Sequence, residues 1–174
     1  MGRLAQTLGP GTRMRQLDRS NRYLARLRKI YQGVPAAWED RHAHEDDAYT
    51  FFMHCYHVRD WMIELNRAGA TAKHIDQYIN DNQCLKICAD LCNGAKHCRI
   101  TRNTRTGSQP HIIYREHEHG TLGKVEILKS SYTIYAQDQT FDALELAESC
   151  MQAWATLVQD FHQTISGQSS GAGA

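Results

Sequence analysis

The sequence has little of what a membrane or secreted protein needs. No apolar run approaches the roughly 20 residues that a bilayer-spanning helix requires, and the N-terminus lacks the apolar core of a signal peptide. The formal net charge is only +1 over 174 residues, so neither a strongly basic nor a strongly acidic protein is indicated. These absences predict a cytoplasmic protein without a membrane partner.

The length and the apolar content predict a single domain. A chain of 174 residues with 41% apolar residues can bury one core, and we find no internal repeat. Residues 1–11 carry three glycines and a proline and are predicted to be a mobile lead-in. Residues 12–165 are predicted to form the domain. Residues 166–174, which are rich in Ser, Gly and Ala, are predicted to be a disordered tail.

Apolar residues that recur every three or four positions predict four long helices. These cover about 12–32, 46–66, 82–98 and 142–165. Between the third and fourth, residues 111–136 are rich in Ile, Val, Tyr and Thr and alternate in polarity, which predicts a β-hairpin of two or three strands. We therefore expect a mainly α fold, an antiparallel four-helix bundle with this hairpin inserted between the third and fourth long helices.

Six cysteines are present, and four of them crowd into the third predicted helix: Cys84, Cys88, Cys92 and Cys98. Cysteines one turn apart on one helix are poorly placed to staple loops, which indicates reduced thiols rather than a disulfide framework. Structural zinc sites usually take ligand pairs from short turns. We therefore expect these cysteines to pack in the core as small apolar side chains, and we predict no metal and no cofactor.

The charge is unevenly distributed along the chain. Seven basic residues and one acid lie between Arg13 and Lys29, and a second basic run follows residue 98. Such asymmetry is typical of a face that binds a polyanion, although a solvated helix face would look the same. The candidate nucleic-acid-binding residues are Arg15, Arg19, Arg22, Arg26, Arg99, Arg102 and Arg105.

Two predicted helices carry polar side chains that a core does not need. His57 and Asp60 lie in the second helix, and Asn93 and His97, one turn apart, lie in the third. Ionisable groups inside a bundle are costly unless they are paired, so we expect these four to meet between the two helices. Gly94 in mid-helix also needs a reason, such as the close approach of another helix or of a ligand.

Three interpretations of this cluster remain open. Two histidines held by a carboxylate and an amide could perform general acid–base chemistry near neutral pH, with RNA as a fitting substrate. His57 and His97 with a carboxylate could instead ligate a metal. The third interpretation is structural, with all four side chains satisfying helix–helix contacts. A further pair, His117 and His119 on one strand face, is interpreted as an exposed polar face.

The segment from Asn93 to His97, on a long helix of the predicted bundle, resembles the higher eukaryote and prokaryote nucleotide-binding (HEPN) superfamily. The motif of that superfamily places an Arg, a polar residue that is often Asn, three further residues and a His on one helix. Asn93 and His97 match the last two, but Cys92 occupies the position of the Arg. The segment from His54 to Trp61, with that around His97, also resembles small bacterial and phage-linked proteins.

The resemblance implies a nucleic-acid-directed protein, namely a metal-independent ribonuclease or an inactive relative in a defence or toxin–antitoxin context. His97 would then be the general acid or base, Asn93 would orient it, and His57 and Asp60 would complete the pocket. The alternative is a non-catalytic binding or assembly module that acts through protein contacts, which the missing Arg and the exposed hairpin favour. A homodimer fits either interpretation.

Overall fold

The computed structural model describes residues 15–35, 41–64, 71–97 and 104–169. The described helices are α1 Arg15–Gln32, α2 Arg41–Tyr56, α3 Val58–Glu64, α4 Ala72–Asp81, α5 Gln83–Lys96 and α6 Ala143–Ser169. The described strands are β1 Val34–Pro35, β2 His111–Leu122, β3 Val125–Ala136 and β4 Gln139–Asp142. In this part of the chain, no helix has the length and apolar character that crossing a bilayer requires.

The predicted four-helix bundle with an inserted hairpin is wrong. Two long strands do occupy the segment 111–136, but they belong to a four-stranded antiparallel sheet whose long strands follow the first five helices. β3 is central: β1 and β2 flank it, and β4 also pairs with it. Because β1 comes directly after α1 and β4 directly before α6, the sheet joins distant parts of the chain.

The sheet buries one face of its central strand. Alternate residues of β3 are buried, as the two-residue period of a strand requires, and they are Leu128, Ser130, Tyr132, Ile134 and Ala136. This face packs against α1 and α6, and the Tyr31 hydroxyl accepts a hydrogen bond from the Tyr132 backbone N–H at 3.0 Å. Ser130 is the one polar member of the buried row.

The second predicted helix begins earlier than expected and is interrupted. α2 starts at Arg41, and a turn at His57 separates it from α3. The His57 backbone N–H still donates to the Met53 carbonyl at 3.2 Å, so the chain continues in the same sense. At the other terminus, α6 extends to Ser169, into the segment that was predicted to be disordered. Residues 1–11 and 170–174 lie outside the described residues.

α2, α5 and α6 pack against one another and contribute several of the largest fully buried side chains, among them Trp154 and Phe51. The Cys88 thiol donates to the Phe52 carbonyl at 3.4 Å, while Tyr49 and Gly94 line one cavity. Residues with lower numbers on α2 therefore face residues with higher numbers on α5. The two helices are therefore antiparallel, and this direction decides which polar residues can meet.

Candidate functional site

Asn93 and His97 are neighbours at the end of α5. The His97 backbone N–H donates to the carbonyl of Asn93 at 3.2 Å and to that of Gly94 at 3.3 Å, which makes His97 the C-terminal cap. The His97 side chain is exposed, and Asn93 is half-buried. This pair therefore lies at an accessible helix end rather than inside a closed core.

His57 and Asp60 lie at the junction of α2 and α3. His57 is half-buried in the turn, while Asp60 is exposed and pairs with Arg59, Nη1 to Oδ1 at 2.9 Å. Arg59 also binds Asp76 of α4 through two hydrogen bonds, at 2.7 and 2.8 Å. Asp60 is thus joined to an ion-pair network that links α3 to α4.

The structure does not bring His57 and His97 into one crevice. Because α2 and α5 are antiparallel, the end of α5 that carries His97 lies near Asp46, where Asp46, Gly94 and Ala95 line a common cavity. His57 is 11 positions further along the α2 segment than Asp46, which corresponds to roughly 16 Å at 1.5 Å per helical residue. The catalytic roles assigned to these four residues stay predictions, and this helix register does not support a shared site for both imidazoles.

Gly94 has a close neighbour, as its place in mid-helix suggested. A Cβ atom at Gly94 would lie 3.3 Å from the Gln109 side-chain nitrogen, so the glycine lets the segment before β2 approach α5. Beside it is a cavity of about 480 Å³ between α2, α5 and this segment. Its lining includes Tyr49, Met53 and His111, but neither His57 nor His97.

Three of the predicted nucleic-acid-binding residues line one recess. Arg19, Arg22 and Arg26 are three and four positions apart on α1 and therefore share a helix face. With Tyr23 and His54 they line a recess of about 370 Å³ between α1 and α2. All three arginines are exposed to solvent. The recess is therefore lined by cationic and aromatic side chains and contains no carboxylate among its described lining residues.

His54 is held in a fixed orientation at the base of this recess. The Gln16 side-chain amide donates to the His54 carbonyl at 2.7 Å and lies 3.3 Å from His54 Nδ1. The imidazole also packs on the Tyr23 ring, with centroids 4.9 Å apart. Burial, together with the positive charges of Arg19, His57 and Arg22, lowers the pKa of His54 below its ordinary value of 6.5. His54 is therefore a neutral imidazole at neutral pH.

The remaining predicted arginines have different positions. Arg15 is exposed at the first residue of α1, and Arg99 and Arg102 lie outside the described residues. The Arg105 side chain binds Asp76 at 2.7 Å and Asn80 at 2.5 Å, so its guanidinium stabilises the fold of this segment. Of the recess arginines, Arg26 pairs with Asp47, which is not a lining residue, at 2.8 Å, and its guanidinium lies 5.7 Å from the Tyr23 ring centroid.

Sequence reasoning missed a histidine pair around Ser130. The Ser130 hydroxyl is buried, 2.9 Å from His44 Nδ1 and 2.8 Å from His117 Nδ1. His117 is therefore half-buried in a polar contact, whereas His119 on the same strand face is exposed. The contact of Ser130 with His44 joins the start of α2 to the sheet. Because Ser130 is only 1% exposed, its hydroxyl is not an accessible nucleophile. The sequence signal that could have revealed this contact is Ser130 itself, a polar residue at an inward position of the alternating strand β3.

Comparisons of this chain with protein-family models, with curated proteins and with solved structures find no match. Function is therefore argued from the geometry of these sites.

Proposed function

We propose that this protein is a HEPN-like, nucleic-acid-directed protein that binds the phosphate backbone of RNA through the recess between α1 and α2. The observation that carries the proposal is the set of three arginines around that recess, Arg19, Arg22 and Arg26. Phosphate contacts supply most of the sequence-independent affinity of nucleic-acid-binding proteins. The recess offers such contacts side by side on one helix.

Arg22 is the residue best placed to bind a phosphate. Among the described residues it makes no hydrogen bond or ion pair, whereas Arg19 donates to the Gln16 side chain at 3.3 Å and Arg26 pairs with Asp47. A guanidinium that has no internal partner keeps its donors available for a phosphate, which it can bind in a bidentate manner. Arg28 on the same helix differs, because it pairs with Glu148 of α6.

Binding can be measured by fluorescence anisotropy with a labelled single-stranded RNA at low and moderate salt. We expect Arg22→Ala to weaken binding roughly tenfold, equivalent to about 1.4 kcal/mol. Arg28→Ala is the matched control, since it removes the same side chain from the same helix at a position turned towards α6, and it should bind like the wild type. If the wild-type protein does not bind RNA even at low salt, the proposal is wrong.

Cleavage is the enzymatic form of the proposal, and two histidines are candidates for it. The resemblance assigns catalysis to His97 with Asn93, at the exposed end of α5. The recess holds a second candidate in His54, because a neutral imidazole beside phosphate-binding arginines has the protonation state of a general base. RNA cleavage assays with His97→Ala and His54→Ala distinguish them. Equal cleavage by both variants and the wild type would leave binding as the function.

A second candidate function, assembly into a homodimer, is favoured by the exposed edge of β2. Within the described residues β2 pairs only with β3, and an unpaired edge can accept another strand. Large apolar side chains are exposed along the hairpin, including Tyr114 at 57% and Leu122 at 73%. Light scattering should then give twice the chain mass for the wild type and the single chain mass for Tyr114→Lys. A monomeric wild type would exclude this candidate.

A further inference from the structure

Three buried thiols from three different helices meet in the core. Cys55 comes from α2, Cys88 from α5 and Cys150 from α6, and all their sulfur atoms lie within 4.8 Å of one another. Each residue is at most 1% exposed. The sequence pattern suggested a row of cysteines on one helix, but this triad takes one thiol from each of the three packed helices.

Sulfur atoms at this separation can all reach one metal ion with small adjustments. A zinc–sulfur bond is about 2.3 Å long, so two thiolates on one zinc ion are about 4 Å apart. Soft thiolate ligands select ions such as Zn²⁺ over the hard cations. In the part of the chain that the structure describes, no other group of three His, Cys, Asp or Glu side chains is arranged closely enough to hold a metal.

The indole N–H of Trp154, near the triad, is a buried donor without a hydrogen-bond partner among the described residues. Trp154 follows Cys150 by one turn of α6 and is buried. The indole N–H lies near the Cys55 thiol but makes no hydrogen bond with it. Buried donors are almost always paired, so this one calls for an explanation. A metal-bound thiolate is a stronger acceptor than a thiol and would provide the missing partner.

A fourth cysteine connects the triad to the surface. Cys84 lies one turn before Cys88 on α5, and its backbone carbonyl accepts from the Cys150 thiol at 3.3 Å. Cys84 is half-buried and lines two surface cavities, one on each side. An ion could therefore enter at Cys84, whose sulfur lies outside the close group of three and would have to rotate towards the triad to act as a further ligand.

We propose that Cys55, Cys88 and Cys150 bind one Zn²⁺ ion, and that the Cys84 side chain rotates towards them to supply the fourth ligand. Binding replaces the thiol protons by the ion: three protons leave the triad and a fourth leaves Cys84, all to solvent. The Trp154 N–H then donates to the Cys55 thiolate. The ion joins α2, α5 and α6 at the centre of the fold, which is the role of a structural zinc site.

The test uses the full chain, reduced and freed of metal by a chelator, and titrated with Co²⁺ and then Zn²⁺. We expect one ion per chain, thiolate-to-cobalt charge-transfer absorption that Zn²⁺ abolishes, and a higher melting temperature with Zn²⁺. Binding by the wild type decides the matter whether or not the variants fold. If no ion binds, or if one binds without the charge-transfer absorption, the ligands are not these thiols and the proposal is overturned.

The variants then identify the ligands. Cys88→Ser should abolish stoichiometric binding, whereas Cys92→Ser, which changes a buried cysteine of the same helix outside the triad, should retain it. Trp154→Phe removes the N–H donor and should weaken binding roughly tenfold or more, as is usual for partners of metal ligands. Equal binding by the Cys88→Ser and Cys92→Ser variants would show that the triad is only core packing.

Discussion

Thr106 donates two hydrogen bonds to one carboxylate oxygen of Asp90, from its backbone N–H and from its hydroxyl, both at 2.8 Å. The other carboxylate oxygen accepts from the Arg105 backbone N–H at 3.0 Å. Asp90 is buried, so this carboxylate fixes the segment before β2 onto α5. It also positions Arg105 to reach Asp76.

Replacing Asp90 by Ala should therefore destabilise the protein. The change leaves two backbone donors without their acceptor, and such a loss costs about 1–3 kcal/mol for each group that stays buried and unpaired. Urea denaturation would measure it. Asp90→Asn keeps one carbonyl oxygen and should cost less. If Asp90→Ala stays within about 0.5 kcal/mol of the wild type, the carboxylate does not hold this segment.

The ion pairs of Asp76 should make stability depend on pH. Hydrogen bonds from Arg59 and then Arg105 outweigh the effect of burial and lower the pKa of Asp76 below its ordinary value of 3.8. For a carboxyl with a lowered pKa, the stabilisation is fully present above 3.8 and is lost as the pH falls through 3.8 towards the pKa of the folded state. Because Asp76 is partly exposed, solvent screening makes the effect small.

The control for this prediction is Asp76→Asn. The free energy of unfolding of the variant should be lower than that of the wild type at neutral pH, and the difference should shrink as the pH falls below 3.8. Urea denaturation at several pH values measures both proteins. A difference that stays constant down to acid pH would mean that the charge of Asp76 contributes nothing to stability.

Gly33 ends α1 and directs the chain into β1, so its replacement should weaken the sheet. Its φ is +110°, and an added Cβ would lie 2.9 Å from Ile127 Cδ1 and 3.2 Å from Lys129 Cγ on β3. We expect Gly33→Ala to cost about 1–3 kcal/mol. Gly123→Ala is the control, because Gly123 also has a positive φ, +64°, but nothing lies within 4 Å of the added Cβ. Equal losses in thermal denaturation would assign the cost to backbone conformation alone.

The helix and strand patterns were readable from the sequence, but the architecture was not. Simple alternation identified Tyr132 and Ile134, which are buried, but it also paired Ile127 with Val125, which is exposed. The pairing of Val34 with Leu128 depends on a two-residue strand that is too short to show any period. The break at His57 carries no proline or glycine that would have announced it. Long-range pairing and tertiary contacts decided both points.

For the candidate sites too, features within one helix could be predicted from the sequence, whereas contacts between helices could not. The spacing of Arg19, Arg22 and Arg26 sufficed to place them on one helix face, because that is a property of a single helix. The expected meeting of His57 with His97 required the relative direction and register of two helices, which no pattern within either helix encodes. The triad of Cys55, Cys88 and Cys150 was missed for the same reason, since it takes one residue from each of three helices.

The salt dependence of RNA binding should show which arginines of the recess contact phosphate groups. Each phosphate contact on a single strand contributes about 0.7 to the slope of log affinity against log salt. Arg22→Ala should therefore reduce that slope by about 0.7. Arg28→Ala should leave it unchanged, because that side chain pairs with Glu148. Anisotropy titrations over a range of salt concentrations measure the slope, and an unchanged slope for Arg22→Ala would exclude Arg22 as a phosphate contact.

A change at Asp47 should act in the opposite direction. Asp47 binds Arg26 through two hydrogen bonds, at 2.8 and 3.1 Å, and so competes with any phosphate for that guanidinium. Asp47→Asn removes the negative charge and frees Arg26, so RNA binding should become tighter and its dependence on salt steeper. Asp81→Asn, which removes an exposed acid on α4, is the control for a general change in net charge. If the two variants gain affinity equally, the gain comes from overall charge and Arg26 does not contact the phosphate.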